Sequence, residues 1–532
     1  MGVLGWITLL PLFGAGLVML VPREEEAIHR GLGLLTAIVT FVVSLLILPD
    51  FDAAKTGFQL EVDKVWIAPL GIRFHLGIDG ISLWLVLLTT FLMPVTLLSP
   101  QAIGIRNIRV REFIIAMLLL EAGLIGAFLA LDLFVFYVFW ELMLIPMYFI
   151  IGIWGGERRL YASIKFVIYT LIGSLLMLVA ILFLYVQYHA ATGSYSFDYV
   201  SLSHLTLPYT PQMLCFGAFA LAFAIKVPVF PLHTWLPDAH VEAPTGGSVI
   251  LAGILLKLGT YGFLRFAMPL FPQASRAAQP LLVALAVIGI LYGALVAWVQ
   301  PDMKKLVAYS SIAHLGFVML GLLAVDLYAW QGALLQMLNH GLSTGALFLL
   351  VGMIYDRRHT KKFDEFGGLA KVMPIFAFFL VFSALASVGL PALNGFVGEF
   401  MILVGSYRAL GWPAALATFG VVLAAVYLLK MLQLALWGPI TKDANRNLKD
   451  LSLREVVAVL PLCVLMLWIG VAPNTFLAPS QKALESVMTA YQARLAGPEV
   501  REARLQPVRP LEGLAASAVA PVKTAQAVEG AR

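Results

Sequence analysis

Charge and cysteine are both scarce in this chain. Only 12% of its 532 residues are charged, against 61% hydrophobic, and mean hydropathy is +0.91. Such a composition excludes an ordinary water-soluble domain, whose surface needs far more charge. The two cysteines, Cys215 and Cys463, lie in apolar segments without ligand spacing. That excludes a disulfide framework, an iron–sulfur cluster and a structural zinc site. Neither a Rossmann fingerprint nor a P-loop occurs in a suitable context, so no nucleotide is expected. The net charge of +5 follows from basic loops on one membrane face and calls for no nucleic acid. The first apolar run lacks a basic leader and an A-x-A site, so it reads as a retained span.

What is present is a succession of apolar runs, each long enough to cross a hydrocarbon core of about 30 Å. The expected fold is an all-α polytopic membrane protein, because in lipid a helix satisfies its own backbone. Helices are placed at 2–20, 31–48, 80–100, 112–130, 133–154, 162–186, 212–236, 246–266, 281–300, 304–323, 328–354, 371–404, 413–437 and 455–475. That makes about fourteen spans. Arg23, Arg30, Arg106, Arg109, Arg111, Arg158, Arg159, Lys304, Lys305, Arg357, Arg358, Lys361, Lys362, Lys442, Arg446, Lys449 and Arg454 fall in alternate loops. The loop 187–211 on the opposite side has no lysine or arginine. The positive-inside rule puts the basic loops in the cytoplasm and both termini outside. Residues 484–532 have no apolar run; a short helix followed by a disordered tail is expected there.

The stretch 221–262 organises the rest. It reads as two membrane helices joined by a short polar loop, carrying Lys226 and Lys257. Pro228 cannot donate to the carbonyl of Ala224, so the helix should break beside Lys226. A cation beside freed carbonyls inside the membrane suits ion movement. The other intramembrane ionisable residues are Glu121, Glu141, His314, His340, Glu399 and Lys430, with Lys165 nearer a cytoplasmic end.

Their spacing contains a repeat. Glu141 to Lys226 spans 85 positions, as does His314 to Glu399; Lys226 to Lys257 spans 31, as does Glu399 to Lys430. The triples are offset by 173 positions, and the second middle member follows a breaker-rich run containing Pro391. Five helices per unit make the second copy inverted, the broken-helix plan of ion transporters. The expected division is 1–111, then repeats at 112–266 and 281–437, a last span at 455–475 and the extension 484–532.

Each charge also has a plainer explanation. Lys165 and Lys430 could snorkel from helix ends, Glu121 could hydrogen-bond between helices, and His340 could be a polar helix contact. Glu141, Lys226, Lys257 and Glu399 resist such explanations, because a mid-span charge costs roughly 2.5–3.5 kcal/mol even on the lenient insertion scale. A lysine removed from water gives up its proton more readily. A carboxylate about 4 Å away opposes this by roughly 4 kcal/mol at an effective dielectric of about 20. Making or breaking a Glu141–Lys226 contact would therefore switch a proton site. Lys257 and His314 would carry the proton along the mid-plane, with Glu399 as the second terminal site.

FWELMLIPMYFIIGIWGG (139–156), KVPVFPLHTWLPDAHVEAPTGGSVILAGILLKLGTYG (226–262), KLVAYSSIAHLGF (305–317) and LNGFVGEF (393–400) resemble one family. It is the antiporter-like subunits of proton-pumping NADH:quinone oxidoreductase, respiratory complex I, and the resemblance covers about residues 1–480. Glu399, where the L- and N-type siblings carry lysine, points to the M-type. So does LNHGLSTGALF (338–348), which lacks the lysine of the L-type motif.

The resemblance implies that Glu141 pairs with Lys226, that Lys257, His314 and His340 form a central axis, and that Glu399 ends it. It implies no cofactor in this chain, with FMN, iron–sulfur clusters, NADH and quinone handled by other subunits. The implied partners are the sibling L- and N-type subunits, small membrane subunits and the lipid of a bacterial plasma membrane. An Mrp-type Na+/H+ antiporter or hydrogenase membrane subunit is the alternative, and a non-pumping scaffold a different class again.

Overall fold

The computed structural model describes residues 2–104 and 108–496. Arg106 and the tail from 497, including the expected disorder there, lie outside the described residues. Among the described residues, eleven helices are long and apolar enough to cross a membrane. The main elements are α1 (Val3–Leu20), α2 (Glu26–Leu45), β1 (Gln59–Ile67), β2 (Ile72–Ile78), α3 (Leu83–Leu98), α4 (Val110–Leu129), α5 (Leu133–Leu142) and α6 (Leu144–Trp154). They continue with α7 (Arg159–Thr192), α8 (Tyr209–Lys226), α9 (Trp235–Glu242), α10 (Thr245–Leu270) and α11 (Pro272–Trp298). The remainder are α12 (Met303–Leu323), α13 (Leu327–Arg358), α14 (Pro374–Val388), α15 (Asn394–Leu410), α16 (Trp412–Leu436), α17 (Leu453–Val471) and α18 (Asn474–Leu495).

Several boundaries have a visible cause. Asp132, Asp302 and Asp326 cap α5, α12 and α13, each accepting from a backbone N–H of the first turn. Ser452 and Glu455 form a reciprocal capping box at α17. Glu455 also holds Arg357 through two hydrogen bonds of 2.7 and 2.8 Å, tying α17 to the end of α13.

The helix expected at 212–236 does break beside Lys226. Pro228 has no N–H, so the carbonyl of Ala224 accepts from Val229 N instead, at 2.8 Å. The freed carbonyl of Ile225 accepts from the Trp235 indole at 2.8 Å. The break near Pro391 divides the span expected at 371–404 into α14 and α15. Gly389 ends α14 at φ +85°, a left-handed conformation suited to glycine. Two further helices depart from the continuous spans expected. The 133–154 run is interrupted at Met143, where Pro146 cannot donate to the carbonyl of Leu142. α10 contains two π-helical turns, Leu251–Leu255 and Phe263–Ala267, one on either side of Lys257.

The all-α expectation needs one correction. β1 and β2 pair antiparallel through the turn at Gly71 (φ +65°), and β2 bridges to Ala130 at the end of α4. LEVD (60–63) within β1 alternates apolar and polar residues, with Val62 buried and Glu61 and Asp63 exposed, as a strand facing a core on one side requires. The helix expected at the start of the 484–532 extension is present, but as the end of a longer one, the 22-residue α18, which docks through Tyr491 on Ser275 at 2.8 Å.

α10 and α13 are buried on all sides along their apolar stretches, and α12 nearly so. These three therefore occupy the centre, with the other helices around them. Gly253 of α10 and Gly341 of α13 set their approach, since a Cβ on Gly341 would meet the carbonyl of Gly253 at 2.8 Å.

On the face away from the basic loops, His75 of β2 bonds Asp198 at 3.0 Å and Glu61 at 2.8 Å. The hydrogen bond to Asp198, then that to Glu61, outweigh partial burial and raise its pKa to about 9. Asp198 is pushed up by burial, but hydrogen bonds from His75 and Ser201 hold it below the ordinary carboxylate value. Because the folded value of His75 is raised, its stabilisation is full below about pH 6.5 and vanishes as pH rises through about 9. Hydrogen–deuterium exchange across 59–78, corrected for intrinsic rate, should therefore show protection falling over that window. In a His75→Gln variant the extra fall should be absent.

Candidate functional site

The three enclosed helices carry the charges. Lys257 is fully buried on α10 between the two π-helical turns. Its ammonium donates to the carbonyl of Ala252 and to His340 Nδ1, the latter at 2.7 Å. His340, on α13, has no partner for Nε2 among the described residues. Its ring meets that of His314 on α12 edge-on, with centroids 5.8 Å apart.

His314 Nδ1 donates to Glu399 Oε1 at 2.7 Å, and its Nε2 lies 3.3 Å from the Tyr427 hydroxyl. Glu399 Oε1 also accepts from Gln336 Nε2 at 3.0 Å, whereas Oε2 has no partner among the described residues. Asn339 Nδ2 donates to the carbonyl of Asn394 at 2.7 Å, and Asn394 Nδ2 returns a bond to the carbonyl of Asn339. This exchange fixes the start of α15, and so Glu399, against α13. Gly398 lets the two helices close, because a Cβ there would meet Gln336 Oε1 at 2.4 Å.

Lys257, His340, His314 and Glu399 thus form two hydrogen-bonded pairs joined by a ring contact. Each pair can exchange a proton without either group reaching water. Histidine suits the middle of such a series, since one nitrogen can accept as the other donates.

Glu141 and Lys226 are placed differently. The implied ion pair is absent: no salt bridge joins them among the described residues, although the charge of Glu141 acts on Lys226. Glu141 is half-buried, its Oε1 has no hydrogen-bond partner among the described residues, and its charge acts on Tyr137. Lys226 is buried with its ammonium over the Trp140 ring, 4.9 Å from the centroid, and 5.7 Å from that of Phe166. Aromatic faces attract the cation and replace some of its lost hydration. Glu121 is also fully buried, but among the described residues neither oxygen has a hydrogen-bond partner, so the interhelical bond considered from sequence is not seen there. Lys165 does not simply snorkel: it bonds Asp238 at 2.7 Å and the carbonyl of Thr234 at 2.9 Å. Lys430 is half-exposed, donates to the carbonyl of Trp298 and stands apart from the connected set.

Several groups escaped the sequence reading. Tyr427, Gln336, Asn339 and Asn394 are uncharged, and the search was for charges. Arg265 and Asp79 had a usable signal, being lone charges at the ends of apolar runs. Arg265 Nη2 reaches both Asp79 oxygens at 2.6 Å, with both side chains buried. The pair fastens the end of β2 to α10 within the second π-helical turn, which follows the turn of helix that carries Lys257.

Removing one partner of such a buried pair is expected to destabilise by about 3–5 kcal/mol. Arg265→Ala should therefore lower the denaturation temperature of the membrane-embedded protein, with Asp79→Asn,Arg265→Met recovering part of the loss. Gln336→Leu removes a donor to a buried carboxylate and should slow any proton traffic through Glu399 without unfolding the chain, readable as reduced turnover at unchanged abundance.

A family model described as NADH:quinone oxidoreductase/Mrp antiporter, TM, matches residues 130–425, and one described as NADH-ubiquinone oxidoreductase chain 4, amino terminus, matches 35–127. NADH-quinone oxidoreductase subunit M of Rhodobacter capsulatus is 46% identical over 481 residues, covering 88% of this chain and 93% of its own. NADH-ubiquinone oxidoreductase chain 4 of Marchantia polymorpha is 43% identical over 479 residues, covering 89% and 94%. Among solved structures, a chain of respiratory complex I from Thermus thermophilus with bound NADH superposes at TM-score 0.82 with 35% identity, covering 93% of this chain and 100% of its own. A chain of the Mrp complex from Dietzia sp. DQ12-45-1b reaches TM-score 0.75 at 22% identity, covering 95% and 58%, a likeness of fold alone. The chain belongs to the antiporter-like membrane subunits of NADH:quinone oxidoreductase, respiratory complex I, in the branch of subunit M and chain 4.

Proposed function

We propose that this chain moves protons across the membrane through a lateral series of buried groups, driven by quinone reduction in other subunits. The observation that carries this reading is the pair of enclosed contacts, Lys257–His340 and His314–Glu399, joined ring to ring in the centre of the fold. A purely structural core would more cheaply hold apolar residues at these positions. Glu141 and Lys226 form the other end, and their separation corresponds to the open state of a switch that closes as an ion pair. An attraction of roughly 4 kcal/mol at about 4 Å exceeds the roughly 2.3 kcal/mol needed to carry a charge through 100 mV. Closing and opening that contact is therefore enough to drive a proton uphill. Glu121 and Lys430 are secondary proton sites in this reading.

The architecture we infer is fourteen spans with two inverted five-helix repeats, at 112–266 and 281–437. Adding α3 and the two broken helices, α8–α9 and α14–α15, to the eleven apolar helices supports that number. The repeats are not identical, since the break follows Lys226 but precedes Glu399. The basic loops face the cytoplasm of a bacterial plasma membrane and both termini lie on the other side. The chain binds no redox cofactor and works beside its sibling L- and N-type subunits, which with small membrane subunits form the membrane arm.

Lys257→Ala and Glu399→Gln, each in the assembled complex in sealed vesicles, test this reading. Proton uptake driven by NADH and quinone should fall at least about tenfold, a barrier change of roughly 1.4 kcal/mol. NADH oxidation by an artificial acceptor, which needs assembly but not pumping, should be unchanged. Undiminished proton uptake in both variants would overturn the reading.

A further inference from the structure

The second half of the first broken helix carries a histidine that the series above does not use. His240, on α9, is completely buried, and among the described residues neither ring nitrogen has a hydrogen-bond partner. Buried polar groups are nearly always paired, so an imidazole with both nitrogens free calls for an explanation. Its ring lies flat against Phe348 of α13, with centroids 4.6 Å apart and planes 14° apart. That stack fixes the ring while leaving both nitrogens unoccupied. A histidine serving only as packing would be expected to spend at least one nitrogen on a neighbour. A relay needs both, one to receive a proton and one to release it.

Its position is between the basic face and the central pairs. On one side is Lys304, whose buried ammonium donates to the carbonyl of Ala243 at 2.6 Å, three residues along the chain from His240. Lys361 bonds the carbonyl of Val241 at 3.2 Å beside it. On the other side is Lys257, and the charges of both Lys304 and Lys257 act on the His240 ring. Phe348 and His340 share a face of α13, two turns or about 12 Å apart, with the hydroxyl residue Thr344 midway. Ser248 of α10 donates to the carbonyl of His240 at 3.1 Å, placing a second hydroxyl in the same interval.

We propose that His240 is the uptake relay of the basic face, passing protons from beside Lys304 to the Lys257–His340 pair. This rests on the lateral-series reading above. One proton arrives at one ring nitrogen as another leaves from the other; no electrons move and no bond other than N–H changes. The distance to His340 is bridged by water held on Thr344 and Ser248.

His240→Phe keeps the aromatic stack and removes the proton-carrying nitrogens. His240→Ala opens a space that free imidazole can fill. In the assembled complex in vesicles, both should lose at least about tenfold of NADH-driven proton uptake, with NADH oxidation by an artificial acceptor unchanged. Added imidazole should restore a substantial part in His240→Ala and none in His240→Phe. Normal uptake in His240→Phe, or failure of imidazole to restore His240→Ala, would overturn the assignment. Lys257→Ala measured alongside separates the two levels. If it also pumps normally, the lateral series fails; if it is silent while His240→Phe pumps, only the role of His240 falls.

Discussion

Placing lysine and glutamate where no water reaches them is costly unless each keeps a proton-sharing partner. The centre of the fold meets that constraint for Lys257 and Glu399. Lys257 is held by His340 and a backbone carbonyl that a π-helical turn presents to it. Glu399 is held by His314 and Gln336, on a helix pinned by the exchange between Asn339 and Asn394. Gly253, Gly341 and Gly398 give up side chains so that the backbones come close enough for these contacts. Enclosure makes the pairs strong, and the same enclosure makes their protons expensive to exchange except with each other.

Outside the centre, the scaffold is stitched at both membrane faces. On the basic face, Arg357 spreads over Glu455 and the carbonyls of Met353, Lys449 and Asp450, joining α13 to α17. On the other, the hairpin closes over the helix ends through His75, Asp198 and Asp132, whose side chain both caps α5 and accepts from Arg73 N. Arg265 and Asp79 connect that hairpin to the helix of Lys257.

Much of this was legible in the sequence because the penalty for an intramembrane charge makes such residues rare and therefore readable. Equal intervals of 85 and 31 positions related Glu141, Lys226 and Lys257 to His314, Glu399 and Lys430; the structure brings Lys257, His314 and Glu399 together with His340 and leaves Lys430 apart. Pro228 announced the first break through its missing donor. The π-helical turns around Lys257 left no mark in composition, because they depend on neighbouring helices rather than on local propensity. The hairpin was missed because a short half-buried strand in a hydrophobic chain looks like a loop between spans. The resemblance implies that Glu141 pairs with Lys226, but Trp140 and Phe166 offer the ammonium an alternative that pairwise charge reasoning does not include. The neutral partners, Gln336 and Tyr427, carry no signal until the fold places them beside a charge.

The central claim is that these buried groups change protonation during turnover rather than merely fastening helices. Infrared difference spectroscopy of the assembled complex, with and without NADH-driven quinone reduction, reads carboxyl protonation directly. The account predicts a carboxyl band that appears on turnover in the unaltered complex and is missing when Glu399 is replaced by glutamine. The same carboxyl band in both would mean that Glu399 holds one protonation state throughout, and would contradict the account.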